Sequence, residues 1–137
     1  MMLALKRFIS CLVLLLAINL SWAQKGSPMM VFDRASHDFG DVKRKGGDLI
    51  KEFRFVNKGD APLVIKKITK SCSCMSVTYS HKPILPGEAS VIKIKYEPHK
   101  VEAGVFNKVV QIYSNDATGK VRLITIQGNS VDDVKRH

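Results

Sequence analysis

The clearest signal along this chain is a period of two. From Leu49, apolar side chains recur on one side as Leu49, Phe53 and Phe55, with Lys51 the exception, while Glu52 and Arg54 point the other way. That alternation describes a strand with one face in a core and one in water. Ser90–Glu97 repeats it, setting Ile92, Ile94 and Tyr96 against Lys93, Lys95 and Glu97. Val105–Tyr113 places Phe106, Val110 and Ile112 together, and Val121–Gln127 closes the series. Leu63–Thr69 is rich in β-branched residues, which suit a pleated surface. Shorter extended stretches are expected at Met29–Arg34, at Ser36–Val42, where His37, Phe39 and Asp41 would share a side, and at Ser76–Tyr79.

Turn chemistry separates these stretches. Lys43–Asp48 is charged and glycine-rich, and Asn57–Pro62 holds residues that accept or preset unusual φ. Pro86-Gly87 suits the middle of a type II turn, and Asn115–Gly119 reads as a hairpin turn. No stretch beyond the N-terminal leader sustains a 3.6-residue period. About seven short strands joined by turns predict an all-β fold, an antiparallel β-sandwich.

The first residues follow a different rule. Met1–Arg7 forms a short basic segment, Phe8–Leu20 is apolar apart from Ser10, Cys11 and Asn19, and Ser21-Trp22-Ala23 supplies small residues for a signal peptidase. The apolar run is shorter than the roughly 20 residues that a membrane span needs. Residues 1–23 are therefore expected to be a signal-peptide helix, with 24–30 a flexible N-terminal segment, 31–130 the sandwich and 131–137 a charged tail. Export implies a periplasmic or extracellular location and no transmembrane span in the mature chain.

Composition changes this picture in two ways. The net charge is +10, two of it from Lys6 and Arg7 in the leader. The surplus favours an anionic component of the cell envelope as partner, beside an unidentified envelope protein; export argues against nucleic acid. If their strands neighbour each other, Lys66, Lys67, Lys93 and Lys95 would join into a basic patch. The second feature is sulfur. Three cysteines are present, and Cys11 is expected to leave with the leader, so Cys72 and Cys74 are the pair to explain.

On a regular strand, Cys72 and Cys74 would share a face with Cα atoms about 6.6 Å apart. A disulfide wants Cβ atoms about 3.8 Å apart. A bulge or turn at Ser73 would close that gap. Three readings stay open: a structural pair, reduced or bonded; a redox-active pair; or a soft-metal site in which Met75 adds a thioether to Cys72 and Cys74 and selects Cu(I). Zinc finds little support, because His37, His81, His99 and His137 are scattered singly. There is no Gly-x-Ser-x-Gly, no His-Glu-x-x-His and no P-loop, and Asp38 and Asp41 read as turn or strand-edge groups. No catalytic residue and no cofactor beyond Cu(I) is expected.

Several segments together resemble a known family. They are His37–Val42 (HDFGDV), Phe53–Asn57 (FRFVN), Gly59–Ile65 (GDAPLVI), Ser71–Cys74 (SCSC), Ile84–Glu88 (ILPGE) and Ile94–Pro98 (IKYEP). The series resembles the bacterial exported family catalogued as domain of unknown function 1573, over about Val31–Gly128. That family is similar to the Ig-like domains of the Hydin and major-sperm-protein type. The resemblance implies an Ig-like sandwich and no established activity. The family usually carries glycine between its two cysteines, where this chain has Ser73. The expected role is an exported, non-enzymatic Ig-like binding or structural module of the bacterial envelope. The alternative is a small thiol-redox or Cu(I)-binding protein built on Cys72, Cys74 and Met75.

Overall fold

The computed structural model describes residues 2–10 and 26–133. Residues 2–10 are helical. The proposed cleavage point after Ala23, together with Cys11 and the end of the tail from 134, lies outside the described residues.

Eight strands follow: β1 (Met30–Phe32), β2 (Ser36–Lys43), β3 (Leu49–Asn57), β4 (Ile65–Lys70), β5 (Met75–Thr78), β6 (Ala89–Tyr96), β7 (Gly104–Ser114) and β8 (Val121–Val131). They form two four-stranded sheets, ordered β1-β3-β6-β5 and β2-β8-β7-β4. The predicted β-sandwich is therefore present, with one strand more than the seven or so expected. One pair, β2 with β8, is parallel.

The period-2 faces meet between the sheets. Phe53, Phe55, Ile92, Ile94 and Tyr96 from one sheet are buried with Phe106, Val110, Ile112, Ile124 and Ile126 from the other. Tyr96 and Phe106 bridge the two layers with ring centroids 4.5 Å apart. Opposite Phe106, β8 carries Gly128, and a Cβ there would lie 2.7 Å from the Phe106 ring and 2.9 Å from the Gly40 carbonyl. The absent side chain is thus the space that Phe106 fills.

Local exceptions explain where expectation and structure part. Gly40 has φ of +66°, and the β2–β8 register slips between Asp38 and Asp41. This bulge turns Asp41 outward and brings Val42, not Asp41, to the side of Phe39. Lys66 and Lys67 lie on β4 while Lys93 and Lys95 lie on β6, so the four lysines belong to different sheets and do not form one patch. Nor are Ser27–Met30 a flexible lead-in. Ser27 N–H donates to Asp60 Oδ1 (2.5 Å), Ala117 N–H to the Pro28 carbonyl (3.0 Å) and Lys58 N–H to the Met29 carbonyl (2.9 Å). At the other end Val131 still belongs to β8, and its carbonyl accepts from Arg44 N–H (2.8 Å).

Asn57 is the polar group on which these connections converge. It is fully buried at the end of β3. Its Oδ1 accepts from the N–H groups of Met29 (3.1 Å) and Gly59 (3.0 Å), and its Nδ2 donates to the carbonyls of Ala61 (2.8 Å) and Ile84 (2.9 Å). All four side-chain hydrogen-bonding positions are filled. Replacing Asn57 by Ala strands the N–H groups of Met29 and Gly59 and the Ala61 carbonyl around a buried site, while the Ile84 carbonyl keeps the Leu63 N–H. The expected loss is about 2–4 kcal/mol, read as the shift in a chemical-denaturation midpoint, because orphaned buried groups cost about 1–3 kcal/mol each and some will find water.

A second buried polar group ties the β7–β8 hairpin. Asp116 accepts from Thr118 N–H (2.9 Å), from Thr118 Oγ1 (2.7 Å) and from Arg122 Nε (2.9 Å). Burial opposes its charge, but the Thr118 hydrogen bonds and Arg122 outweigh burial and hold the carboxyl below the usual 3.8. A folded-state pKa below the unfolded one adds stability that is fully present above the unfolded value and is lost as pH falls through the folded one. Thermal melts should show this contribution at neutral pH and its loss below about pH 4. Asp116→Asn should be less stable at pH 7 and should flatten that acid limb.

Candidate functional site

The cysteine stretch lies where the chain leaves one sheet for the other. β4 is the edge of one sheet and β5 the edge of its partner, and Ser71–Cys74 joins them. Ser71 keeps the end of β4 beside β7: its N–H donates to the Val109 carbonyl (3.1 Å), and its Oγ accepts from Val109 N–H (3.1 Å). The chain then turns. Met75 N–H donates to the Cys72 carbonyl (3.3 Å), which makes Ser73 and Cys74 the two central residues of a tight turn. Glu97 N–H fixes its far side through the Cys74 carbonyl (2.9 Å).

This turn contracts the Cα separation of Cys72 and Cys74 to 5.1 Å, and the two are joined as a disulfide. The two sulfurs sit in unequal surroundings. Cys74 is 1% exposed and belongs to the core, whereas Cys72 is half-buried between the exposed Ser71 and Ser73. Cys72 Sγ also accepts from Cys74 N–H (3.1 Å). Among the described residues only glycines have positive φ, so Ser73 occupies the place of the family's usual glycine without backbone strain.

Met75 is fully buried, and its carbonyl accepts from Lys70 Nζ at 2.6 Å. With the two cysteine sulfurs bonded to each other and the thioether in the core, Cys72, Cys74 and Met75 do not present an open set of metal ligands in this state. No histidine completes one among the described residues, where no group of three His, Cys, Asp or Glu side chains converges. His37 stacks edge-on against Phe39 at 4.6 Å, His81 lies against Tyr79 at 4.5 Å, and His99 sits in the 3-10 turn Pro98–Lys100. His137 lies outside the described residues. Burial, with Lys51 and Arg34 nearby, lowers the pKa of His37 despite the opposing charge of Asp38.

The acidic residues of β2 are strand-edge groups. Asp38 accepts from Gly40 N–H (2.7 Å) and Gln127 Nε2 (3.2 Å), and Asp41 from Asn129 Nδ2 (3.1 Å). The Gly40 hydrogen bond, then that of Gln127, lowers the Asp38 pKa. The buried Tyr96 hydroxyl has no hydrogen-bond partner among the described residues, and burial raises its pKa.

One feature of the surface escapes a strand-by-strand reading. The outward positions of β7 are Val105, Asn107, Val109, Gln111 and Tyr113; those of β8 are Val121, Leu123, Thr125, Gln127, Asn129 and Val131. These strands are neighbours in register, with Val105 opposite Asn129 and Gln111 opposite Leu123. The result is a two-strand strip without a charge on a strongly basic chain, bordered on the β2 side by Asp38 and Asp41, which accept from Gln127 and Asn129. Val105 is 87% exposed and Leu123 53%. Lys67 borders it from β4, its Nζ 4.6 Å from the centre of the Tyr113 ring. The signal was present in the alternation, but it becomes a surface only once β7 and β8 are known to pair.

Comparison with known proteins places the fold in a family. The model of the family described as "Protein of unknown function (DUF1573)" matches residues 30–130, and the chain belongs to that family. Its structure is similar to a protein of unknown function from Porphyromonas gingivalis W83, with a TM-score of 0.68 and 19% identity, over 75% of this chain and 47% of that one. It is similar also to the ASH / PapD-like domain 7 of human CEP192 (TM-score 0.63, 8% identity, 79% of this chain and 89% of that one). A third likeness is to the VesB protease of Vibrio cholerae (TM-score 0.61, 16% identity, 74% of this chain and 32% of that one). The chain thus spans less than half the length of the Porphyromonas and Vibrio proteins. At these identities the likenesses show a shared Ig-like fold alone. No curated protein sequence matches the chain.

The turn is held by backbone hydrogen bonds that do not need the disulfide, and the loop the bond closes is too short to add much chain-entropy stabilisation. Replacing both Cys72 and Cys74 by Ser should leave the sandwich folded. The expected loss is about 1–3 kcal/mol, arising at Cys74, where a hydroxyl would replace sulfur in the core. Thermal melts with circular dichroism check this; a variant without β structure would assign the pair to the core instead.

Proposed function

We propose that this chain is an exported, non-enzymatic Ig-like module of the bacterial cell envelope, and that it works by binding another envelope protein. The observation that carries the reading is the uncharged outer face of β7 and β8. On a chain of net charge +10, a face with eleven outward positions and no charge at any of them departs from the rest of the surface. Such a face suits a partner that offers apolar contacts and neutral hydrogen-bonding groups, because interface centres are depleted of charge. It suits an anionic polymer less well, since that would be drawn to the lysines elsewhere. Export is supported by the order of basic, apolar and small residues in 1–23. Similar folds that occupy only part of larger proteins agree with use as a module.

Two measurements test the proposal. Intact mass of the protein recovered from the envelope fraction should correspond to a chain starting at Gln24; a chain still starting at Met1 would overturn export. A photo-crosslinking residue at position 123 should capture a discrete envelope protein, and the same residue at position 93, on the outer face of the other sheet, should not. Val121→Asp should weaken the adduct at 123. Equal capture from both positions, or capture of an acidic polymer that salt abolishes, would reject the β7–β8 face as the binding surface.

A further inference from the structure

We propose that the Cys72–Cys74 disulfide is a one-sided exchange site for a partner dithiol, with Cys72 the sulfur that is attacked and Cys74 the sulfur that is released. The inference is independent of the binding face on β7 and β8. It rests on three observations at one turn. The first is access: Cys72 is half-buried and flanked by exposed Ser71 and Ser73, while Cys74 is 1% exposed. An incoming thiolate must approach along the S–S axis from outside, and that approach exists only at Cys72. The second is stabilisation. The Cys74 N–H already points at Cys72 Sγ from 3.1 Å, so the turn holds a donor for the thiolate that Cys72 becomes when the exchange is complete. Lys70 adds a cation to the same turn, anchored on the Met75 carbonyl at 2.6 Å.

The third observation is that the turn does not need the bond. Ser71 to Val109, Met75 to Cys72 and Glu97 to Cys74 are backbone hydrogen bonds that do not involve the sulfurs. A bond that spans a sequence separation of two residues constrains the unfolded chain little. A disulfide with so small a part in stability, and with one sulfur turned to solvent, is suited to chemistry.

One thiolate of the partner dithiol attacks Cys72 Sγ, forming a mixed disulfide. The electron pair of the Cys72–Cys74 bond leaves with Cys74 Sγ, which takes up a proton. The partner's second thiolate then attacks its own sulfur in the mixed disulfide and expels Cys72 as a thiolate. The partner dithiol is oxidised to a disulfide, giving up two electrons, and the cysteine pair is reduced to the Cys74 thiol and the Cys72 thiolate. The reverse sequence passes oxidising equivalents to a partner.

The test uses the full chain carrying Cys11→Ser, with dithiothreitol as the dithiol and iodoacetamide as the trap. Under native conditions dithiothreitol should reduce the pair while the circular dichroism of the sandwich stays unchanged. Peptide mapping after brief alkylation should find Cys72 labelled at least about tenfold faster than Cys74, since access and thiolate character govern the rate. The same chain with Cys74→Ser should form a mixed disulfide with oxidised glutathione at Cys72, and the one with Cys72→Ser should not. Equal labelling, faster labelling of Cys74, or reduction only after unfolding would overturn the proposal. The labelling order is read on the chain with both cysteines, so it holds even if a serine variant fails to fold.

Discussion

Asn57 does what no apolar residue of this sandwich can do. Hydrophobic burial brings the two sheets together, but it is non-directional and leaves the ends of strands undefined. At the end of β3 the chain enters a turn, the N-terminal segment arrives at β1, and the loop before β6 passes overhead. Each brings backbone groups out of water without a ladder to pair them. The Asn57 carboxamide answers Met29, Gly59, Ala61 and Ile84 at once, and its own N–H and carbonyl are taken by Glu88 and Gly87. A buried group so fully satisfied converts three loose connections into one defined corner. The adjoining Leu63–Ile84 bridge depends on that corner, because Ile84 is held from both sides.

Asn57 was legible as a turn former, since asparagine tolerates unusual φ, yet it occupies a strand end with φ in the ordinary range and acts through its side chain. The alternating strands were legible because burial on one face imposes a period that is visible locally. Ile92, Ile94 and Tyr96 are buried, and Lys93 is exposed, as the alternation requires. Sheet membership was not legible, since it depends on pairing between segments distant in sequence; the four lysines, a patch only if their strands were neighbours, fall on separate sheets. The Gly40 bulge and the Gly128 space were hidden in the same way. A glycine announces freedom, but only the neighbouring ring of Phe106 shows how it is used.

The cysteine turn was the part of the candidate site most open to reading, and its limits are informative. Spacing alone showed that a regular strand would keep the sulfurs apart and that a turn at Ser73 would bring them together. It did not show that the turn is the crossover between two sheet edges. That location makes the two sulfurs unequal, since the chain enters from an exposed edge and leaves into the core. It also places Met75 on the core side, because β5 must turn its first residue inward to pair with Tyr96. One topological fact therefore decides the accessibility of all three sulfur atoms.

The same topology separates charge from contact. The central strands β7 and β8 are long, and their outward positions are held in an unbroken register that would carry any charge placed there into the middle of a sheet face. Apart from the half-buried Lys108 of β7, the lysines instead occupy the edge strands β2 and β4, the opposite sheet and the loops, where edge lysines also discourage pairing with another chain. A charged perimeter around a neutral strip, with lysines of β4 on one side and Asp38 and Asp41 of β2 on the other, gives two different physical handles. The perimeter acts at long range and weakens with salt, while the face acts at contact and is insensitive to it. A partner that recognises the face would thus be drawn in by charge and retained by shape, and the two contributions would separate experimentally along the salt axis.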